Sequence, residues 1–248
     1  MIADSFVISI AMMGMFVSYL LERQSRLLYV QERQLEREKQ RSESLLLNTL
    51  PKDIVDRLKG RPGAIAEALP EVTVLFADLV GFTRQAGVIP PRELVASLDD
   101  VFTRFDALAD RFGLEKIKTV GDAYMAVAGA PEQREDHAEC AAEMALGILE
   151  SLRGAEWQSG EPIDVRVGLA SGPVVAGVIG RRKFAYDLWG DTVNLASRLE
   201  SHGEPGRIRV SEQTYELLNG RYGFSDPQVV DLKGRGPTKA RFLLDRRA

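Results

Sequence analysis

Phe76-Ala77-Asp78-Leu79-Val80-Gly81-Phe82-Thr83 and Lys118-Thr119-Val120-Gly121-Asp122-Ala123-Tyr124 are the two runs that decide the fold class. Each carries an apolar, strand-like stretch onto an aspartate close to a glycine. In the second run, residues 114–119 and 123–128 read as two strands joined across Gly121-Asp122, a tight-hairpin signal. Upstream, residues 72–77 read as a buried strand. Residues 91–112 place Leu94, Leu98, Val101 and Phe105 on one helical face. Residues 134–153 are again helical. Residues 163–170 and 174–179 read as a second hairpin turning at Ser171-Gly172-Pro173. The order β-α-β-β-α-β predicts a ferredoxin-like α+β domain with its helices on one face of the sheet. A helix over residues 192–201 follows, with short strands near Ile208, over 229–232 and over 241–244.

Working outward, the chain divides into four parts: residues 1–21, 22–59, 60–70 and 71–248. Residues 6–21 are almost continuously apolar and, with Met1, Ile2 and Ala3, approach the length of a membrane span. No basic stretch precedes the run and no small-residue cleavage site follows it, which argues against a signal peptide. Arg23, Arg26, Arg33 and Arg37 follow, so a transmembrane helix in an inner or plasma membrane would leave the remainder cytoplasmic. In residues 22–59, Leu21, Leu28 and Leu35 recur every seven positions, the signature of a long, coiled-coil-like helix with a dimerising stripe. Pro51 ends that helix, a short one follows over 52–59, and Gly60-Arg61-Pro62-Gly63 opens a linker.

Composition narrows the function classes. The 248 residues carry a net charge of −4 and no basic block, so no nucleic-acid surface is expected. Cys140 is the one cysteine, which excludes an intrachain disulfide. His137 and His202 have no ligand-spaced neighbours, so a zinc site is not expected.

Asp78 and Asp122 sit at the ends of strands that this topology makes neighbours. Singly, each fits a turn or cap. Together they suit a pair of divalent cations and phosphoryl-transfer chemistry. Free backbone N–H groups along Gly81, Phe82 and Thr83 could cradle phosphates. The third polar run is Tyr186-Asp187-Leu188-Trp189-Gly190-Asp191-Thr192-Val193-Asn194-Leu195-Ala196-Ser197-Arg198. Asp191 suits an N-cap. Asn194 and Arg198 then lie four apart on one helix face, an amide beside a guanidinium, fit for a sugar and a phosphate or for a plain surface pair.

In this combination and order, the three runs resemble those of the class III nucleotidyl cyclases, specifically bacterial membrane-anchored adenylate cyclases. The resemblance covers about residues 71–244. It implies that Asp78 and Asp122 bind two divalent cations, Mg2+ or Mn2+. It implies that Lys118 donates to adenine and that Asp187 accepts from the adenine amino group. Asn194 would orient the ribose and Arg198 would stabilise charge on the α-phosphate. Lys233 or Arg235, in Leu232-Lys233-Gly234-Arg235-Gly236, is similar to a lysine that contacts the phosphate tail. The implied substrate is ATP and the product 3′,5′-cyclic AMP. The sites would be shared head to tail across a homodimer. A lysine–aspartate pair matches the donor–acceptor pattern of adenine, whereas family guanylate cyclases carry an acidic and a small residue at these two positions. Three other readings compete: a guanylate cyclase, a catalytically silent signalling module, and a membrane coiled-coil scaffold. The last leaves the three polar runs unexplained.

Overall fold

The computed structural model describes residues 2–47, 50–60, 65–180, 184–232 and 234–247. The chain divides into two units, 1–55 and 56–248. In the first, α1 (Ile2–Leu47) is a single 46-residue helix. Leu21, Leu28 and Leu35 lie exposed along it, and Arg26 pairs with Glu22 one turn back at 2.6 Å. The short helix expected after Pro51 is α2 (Lys52–Gly60).

The expected membrane span is not confirmed. Among the described residues, no helix is long and apolar enough to cross a membrane. The apolar run over 6–21 falls short of the ~20 residues a span requires. It contains Ser9 and Ser18 and is bounded by Asp4 and Glu22. The side chains of residues 1–11 lie outside the described set.

The second unit is a nine-stranded sheet with helices on both faces. Its elements are β1 (Ile65–Leu79), α3 (Phe82–Gln85), α4 (Pro91–Phe112), β2 (Glu115–Val120), β3 (Ala123–Ala128), α5 (His137–Ser151) and β4 (Val165–Ile179), followed by β5 (Ala185–Trp189), α6 (Asp191–Ser201), β6 (Arg207–Ser211), α7 (Glu212–Leu218), β7 (Tyr222–Phe224), β8 (Gln228–Leu232) and β9 (Gly236–Arg246). The main path runs β2-β3-β1-β4-β6-β9-β7, with β5 paired to β4 and β8 to β9. The β-α-β-β-α-β order of the sequence reading is present as β1-α4-β2-β3-α5-β4.

Strand alternation sorts the side chains between two layers. Leu75, Ala77 and Leu79 of β1 and Val165, Val167 and Leu169 of β4 point into one core with Phe105 of α4 and Met144 and Ile148 of α5. The alanines of α5 (Ala138, Ala141, Ala142, Ala145) are fully or almost fully buried and let that helix approach closely. The intervening residues of β1 and β4, among them Asp78, Arg166 and Gly168, face the other side, where α6 packs. At Gly168 a Cβ would stand 2.3 Å from the Ala196 carbonyl oxygen and 2.4 Å from the Glu200 nitrogen. Only glycine allows α6 to lie directly on the strand backbone. Helices α4 and α5 of the β-α-β-β-α-β unit share one core, and the further helix α6 covers the second face.

Two further differences come from the pairing of β1 with β4. Residues 165–179 form one continuous strand, not a hairpin. Ser171-Gly172-Pro173 stays extended because Gly172 and Ser171 pair with Val72 and Thr73 of β1. Correspondingly, β1 begins at Ile65 within the expected linker, and its first half pairs Ile65–Leu69 with Val174–Val178 across a bulge between Leu69 and Val72. Helix α7 and strand β7 went unread. The start of α7 had a readable signal in Ser211, whose hydroxyl accepts from the Thr214 amide at 3.2 Å.

Candidate active site

The two aspartates meet as the topology requires. Asp78, near the end of β1, is in register with Ala123 of β3, the residue after Asp122. Gly121, at φ 65°, makes the β2–β3 turn that carries Asp122. Burial raises the Asp122 carboxyl above the usual range, and the neighbouring charge of Asp78 adds to the rise. Two adjoining carboxylates are hard oxygen donors that fit Mg2+ or Mn2+, which bind proteins through one or two carboxylates and complete their shells with water and phosphate. Among the described residues no group of three or more acidic, His or Cys side chains gathers around them, so the protein would supply only that pair.

Two residues the sequence reading missed stand behind Asp78. Arg166 Nη2 donates to Asp78 Oδ2 at 2.5 Å, and its Nε faces Glu200 Oε1 of α6 at 3.2 Å, without hydrogen-bond alignment. Glu200 is buried. Arg166 announces itself in sequence only as a charge in the apolar run Val165-Arg166-Val167.

The Glu200 carboxyl is pushed up to about 7, first by burial and then by the charge of Asp78. Folded Glu200 therefore keeps a proton that the unfolded chain releases near 4.5. The stability from this group is present at low pH and is lost as pH rises through about 7. Thermal unfolding of the full chain should show a midpoint that falls as pH rises from 4.5 to about 7. Glu200→Gln should remove about 3 kcal/mol of that dependence. An unchanged slope in the variant would remove Glu200 from this account.

The lysine and aspartate expected to read the base also come together. Lys118 on β2 and Asp187 on β5 meet with Nζ and Oδ2 at 2.5 Å. The other carboxylate oxygen accepts from the Leu188 amide at 2.8 Å, which fixes its orientation. Lys118 pairs with Met125 beyond a bulge that turns it away from Lys116, and Lys116 instead bonds Asp106 of α4. Asn194 is exposed and Arg198 half-buried on α6.

The N-cap of α6 is Gly190, at φ 143°, not Asp191. Gly190 lies against β4, where a Cβ would stand 3.4 Å from the Pro173 carbonyl oxygen. Asp191 falls in the first helical turn, where its charge suits the helix dipole, and pairs with Arg235. Lys233, the first choice for the phosphate tail, lies outside the described residues. Its alternative Arg235 is carried to α6 by the β8–β9 turn, whose Gly234 sits beside the Arg198 guanidinium. Gly81, at φ 75°, opens α3, with Phe82 and Thr83 following as its first residues. The basic stretch 181–183 also lies outside the described residues.

The family profile for the adenylate and guanylate cyclase catalytic domain matches residues 65–245. The chain belongs to this class III cyclase family. A Mycobacterium tuberculosis adenylate cyclase is 44% identical over 214 residues, covering 86% of this chain and 48% of its own length. The chain thus spans about half the length of this curated relative. The crystal structure of the guanylate cyclase domain of RhGC from Catenaria anguillulae, in complex with GTP, is 38% identical, with a TM-score of 0.70 over 73% of this chain and all of that one. The adenylyl cyclase CyaB of P. aeruginosa is 27% identical, with a TM-score of 0.70 over 74% and 97% of the two chains. The matched region of this cyclase domain begins at Ile65 with β1, not at residue 71.

Proposed function

We propose that the chain is an adenylate cyclase, converting ATP to 3′,5′-cyclic AMP and pyrophosphate. The observation that carries this reading is the Lys118–Asp187 pair. A lysine donor and an oriented aspartate acceptor match the ring nitrogen and exocyclic amino group of adenine. Guanine presents the reverse pattern, and a mismatched base would leave these groups unpaired. The 44% identity to a mycobacterial adenylate cyclase supports the same choice.

In the reaction, the ribose 3′-oxygen attacks the α-phosphorus, its bond to the β-phosphate oxygen breaks, and pyrophosphate leaves. Asp78 and Asp122 would hold two divalent cations, Mg2+ or Mn2+, which when bound lower the pKa of the hydroxyl and neutralise phosphate charge. Asn194 orients the ribose. Arg198 places positive charge where the α-phosphate accumulates negative charge. The Gly81–Thr83 backbone and Arg235 or Lys233 hold the phosphate tail. The rate gain comes from positioning and electrostatics.

Two copies of the chain complete each site in this proposal. Asp78 and Asp122 serve one site, and Lys118, Asp187, Asn194 and Arg198 of the same chain serve the other. An exposed apolar patch supports a homodimer: Val175, Ile179, Phe184 and Trp189 all stand at least 38% exposed on β4, β5 and the residue before β5. The exposed leucines of α1 support pairing of that helix as well.

The full chain should form cyclic AMP from ATP with Mg2+ or Mn2+, and turn over GTP at least tenfold more slowly, as about 1.4 kcal/mol of base discrimination requires. Faster turnover of GTP would make it a guanylate cyclase. No cyclic product from either nucleotide would favour the silent module.

A further inference from the structure

The turn that follows Asp78 is braced from behind by a loop on the far side of the sequence. Helix α3 is a single turn, too short to hold itself. The loop between α5 and β4 supplies its support. The Val80 amide donates to the Asp164 carbonyl at 2.8 Å. The Phe82 ring packs 6.0 Å, centroid to centroid, from Trp157, itself buried in the core. The loop is closed by a Trp157 N–H bond to the Glu161 carbonyl at 2.8 Å.

Gln85 ends the turn, and its side chain is the central link. It is 2% exposed, and both ends of its amide are satisfied. Nε2 donates to Glu161 Oε2 at 2.7 Å, and Oε1 accepts from the Ser159 hydroxyl at 2.8 Å. Arg84 pairs with the same Glu161 oxygen. An apolar residue would fill this space without fixing the rotation of the turn. A doubly bonded amide fixes it, because the donor and acceptor ends cannot be exchanged. Neither Gln85, Ser159 nor Glu161 reaches the substrate side in this arrangement. Their leverage is on what Val80–Gln85 carries: the Asp78 carboxylate at one end and the Gly81–Thr83 N–H groups in the middle.

We propose that Gln85, clamped between Glu161 and Ser159, is a positioning residue that sets the geometry of the metal and phosphate half of the site. The proposal rests on the reading of Asp78 and Gly81–Thr83 given above.

The clamp can be broken and rebuilt by exchanging its two partners. Gln85→Glu puts a second carboxylate against Glu161. Gln85→Glu with Glu161→Gln restores an amide-to-carboxylate bond in the opposite sense, with Ser159 still donating to residue 85. In the full chain, Gln85→Glu should lower kcat by about 10- to 100-fold, the cost of a small misplacement. It should raise the Mn2+ concentration for half-maximal activity and leave the ATP-to-GTP preference unchanged. The double variant should recover most of the loss. Hydrogen exchange of the 79–87 amides gives a readout independent of turnover: faster in Gln85→Glu, restored in the double variant. Gln85→Leu covers the case in which the single charge variant does not fold. It should keep the wild-type melting temperature while exchange in this turn accelerates. Wild-type exchange and metal dependence in Gln85→Leu, or a double variant no better than Gln85→Glu in either readout, overturns the proposal. A wild-type chain that forms no cyclic nucleotide would sink the cyclase reading, and the exchange data would still decide the clamp.

Discussion

Asp78→Ala and Arg198→Ala chains, each inactive alone, should regain about a quarter of wild-type cyclic AMP production when co-expressed, as random pairing in a two-fold dimer dictates. The arithmetic follows from site sharing. Random pairing makes about half of the dimers mixed, and each mixed dimer carries one intact site of two. The intact site takes Asp78 and Asp122 from one copy and Lys118, Asp187, Asn194 and Arg198 from the other. The remaining site collects both lesions. A tag on each chain verifies that mixed dimers form. Mixed dimers without activity would falsify the shared site and place all six residues in one chain's site. Each single loss should be large. Removing one metal carboxylate takes away a charge the phosphates need, and removing one positioned donor of transition-state charge costs about 10²–10³ in kcat.

Exchanging the base-recognition pair should change which nucleotide is used. Lys118→Glu with Asp187→Cys removes the donor and the acceptor together. It leaves Asp78, Asp122, Asn194 and Arg198 untouched. ATP turnover should fall by at least about 10³-fold, because polar groups built for one edge pattern reject another strongly. The GTP-to-ATP ratio of kcat/KM should rise by a similar factor. The single variant Lys118→Glu should be worse with both nucleotides, since it sets two carboxylates where an ion pair now stands. Comparable losses for ATP and GTP in the double variant would show that the pair supports the sheet without reading the base.

Much of the sheet was legible because its signals are local. The Gly121-Asp122 turn, the apolar strands beside it and the helical face of residues 91–112 each declare themselves within a few residues. Two misreadings share one cause. Ser171-Gly172-Pro173 has the chemistry of a turn, yet hydrogen bonds from β1, about a hundred residues away in sequence, hold it extended. Asp191 has the chemistry of an N-cap, yet the close passage of β4 gives that place to Gly190.

The sequence by itself determined the strand-end aspartates Asp78 and Asp122, the residues Lys118 and Asp187, and the α6 face with Asn194 and Arg198. Residue type and short-range spacing carry those, through strand ends, a hairpin and the helical repeat. Only the tertiary structure decided that α6 lies on the second face of the sheet, pressed onto Gly168, and that Arg166 and Glu200 back Asp78. It also decided that Gln85 is locked by Glu161 and Ser159. These contacts join residues 28 to 88 positions apart in sequence, and nothing in local chemistry forecasts which distant side chain a buried charge or amide will meet.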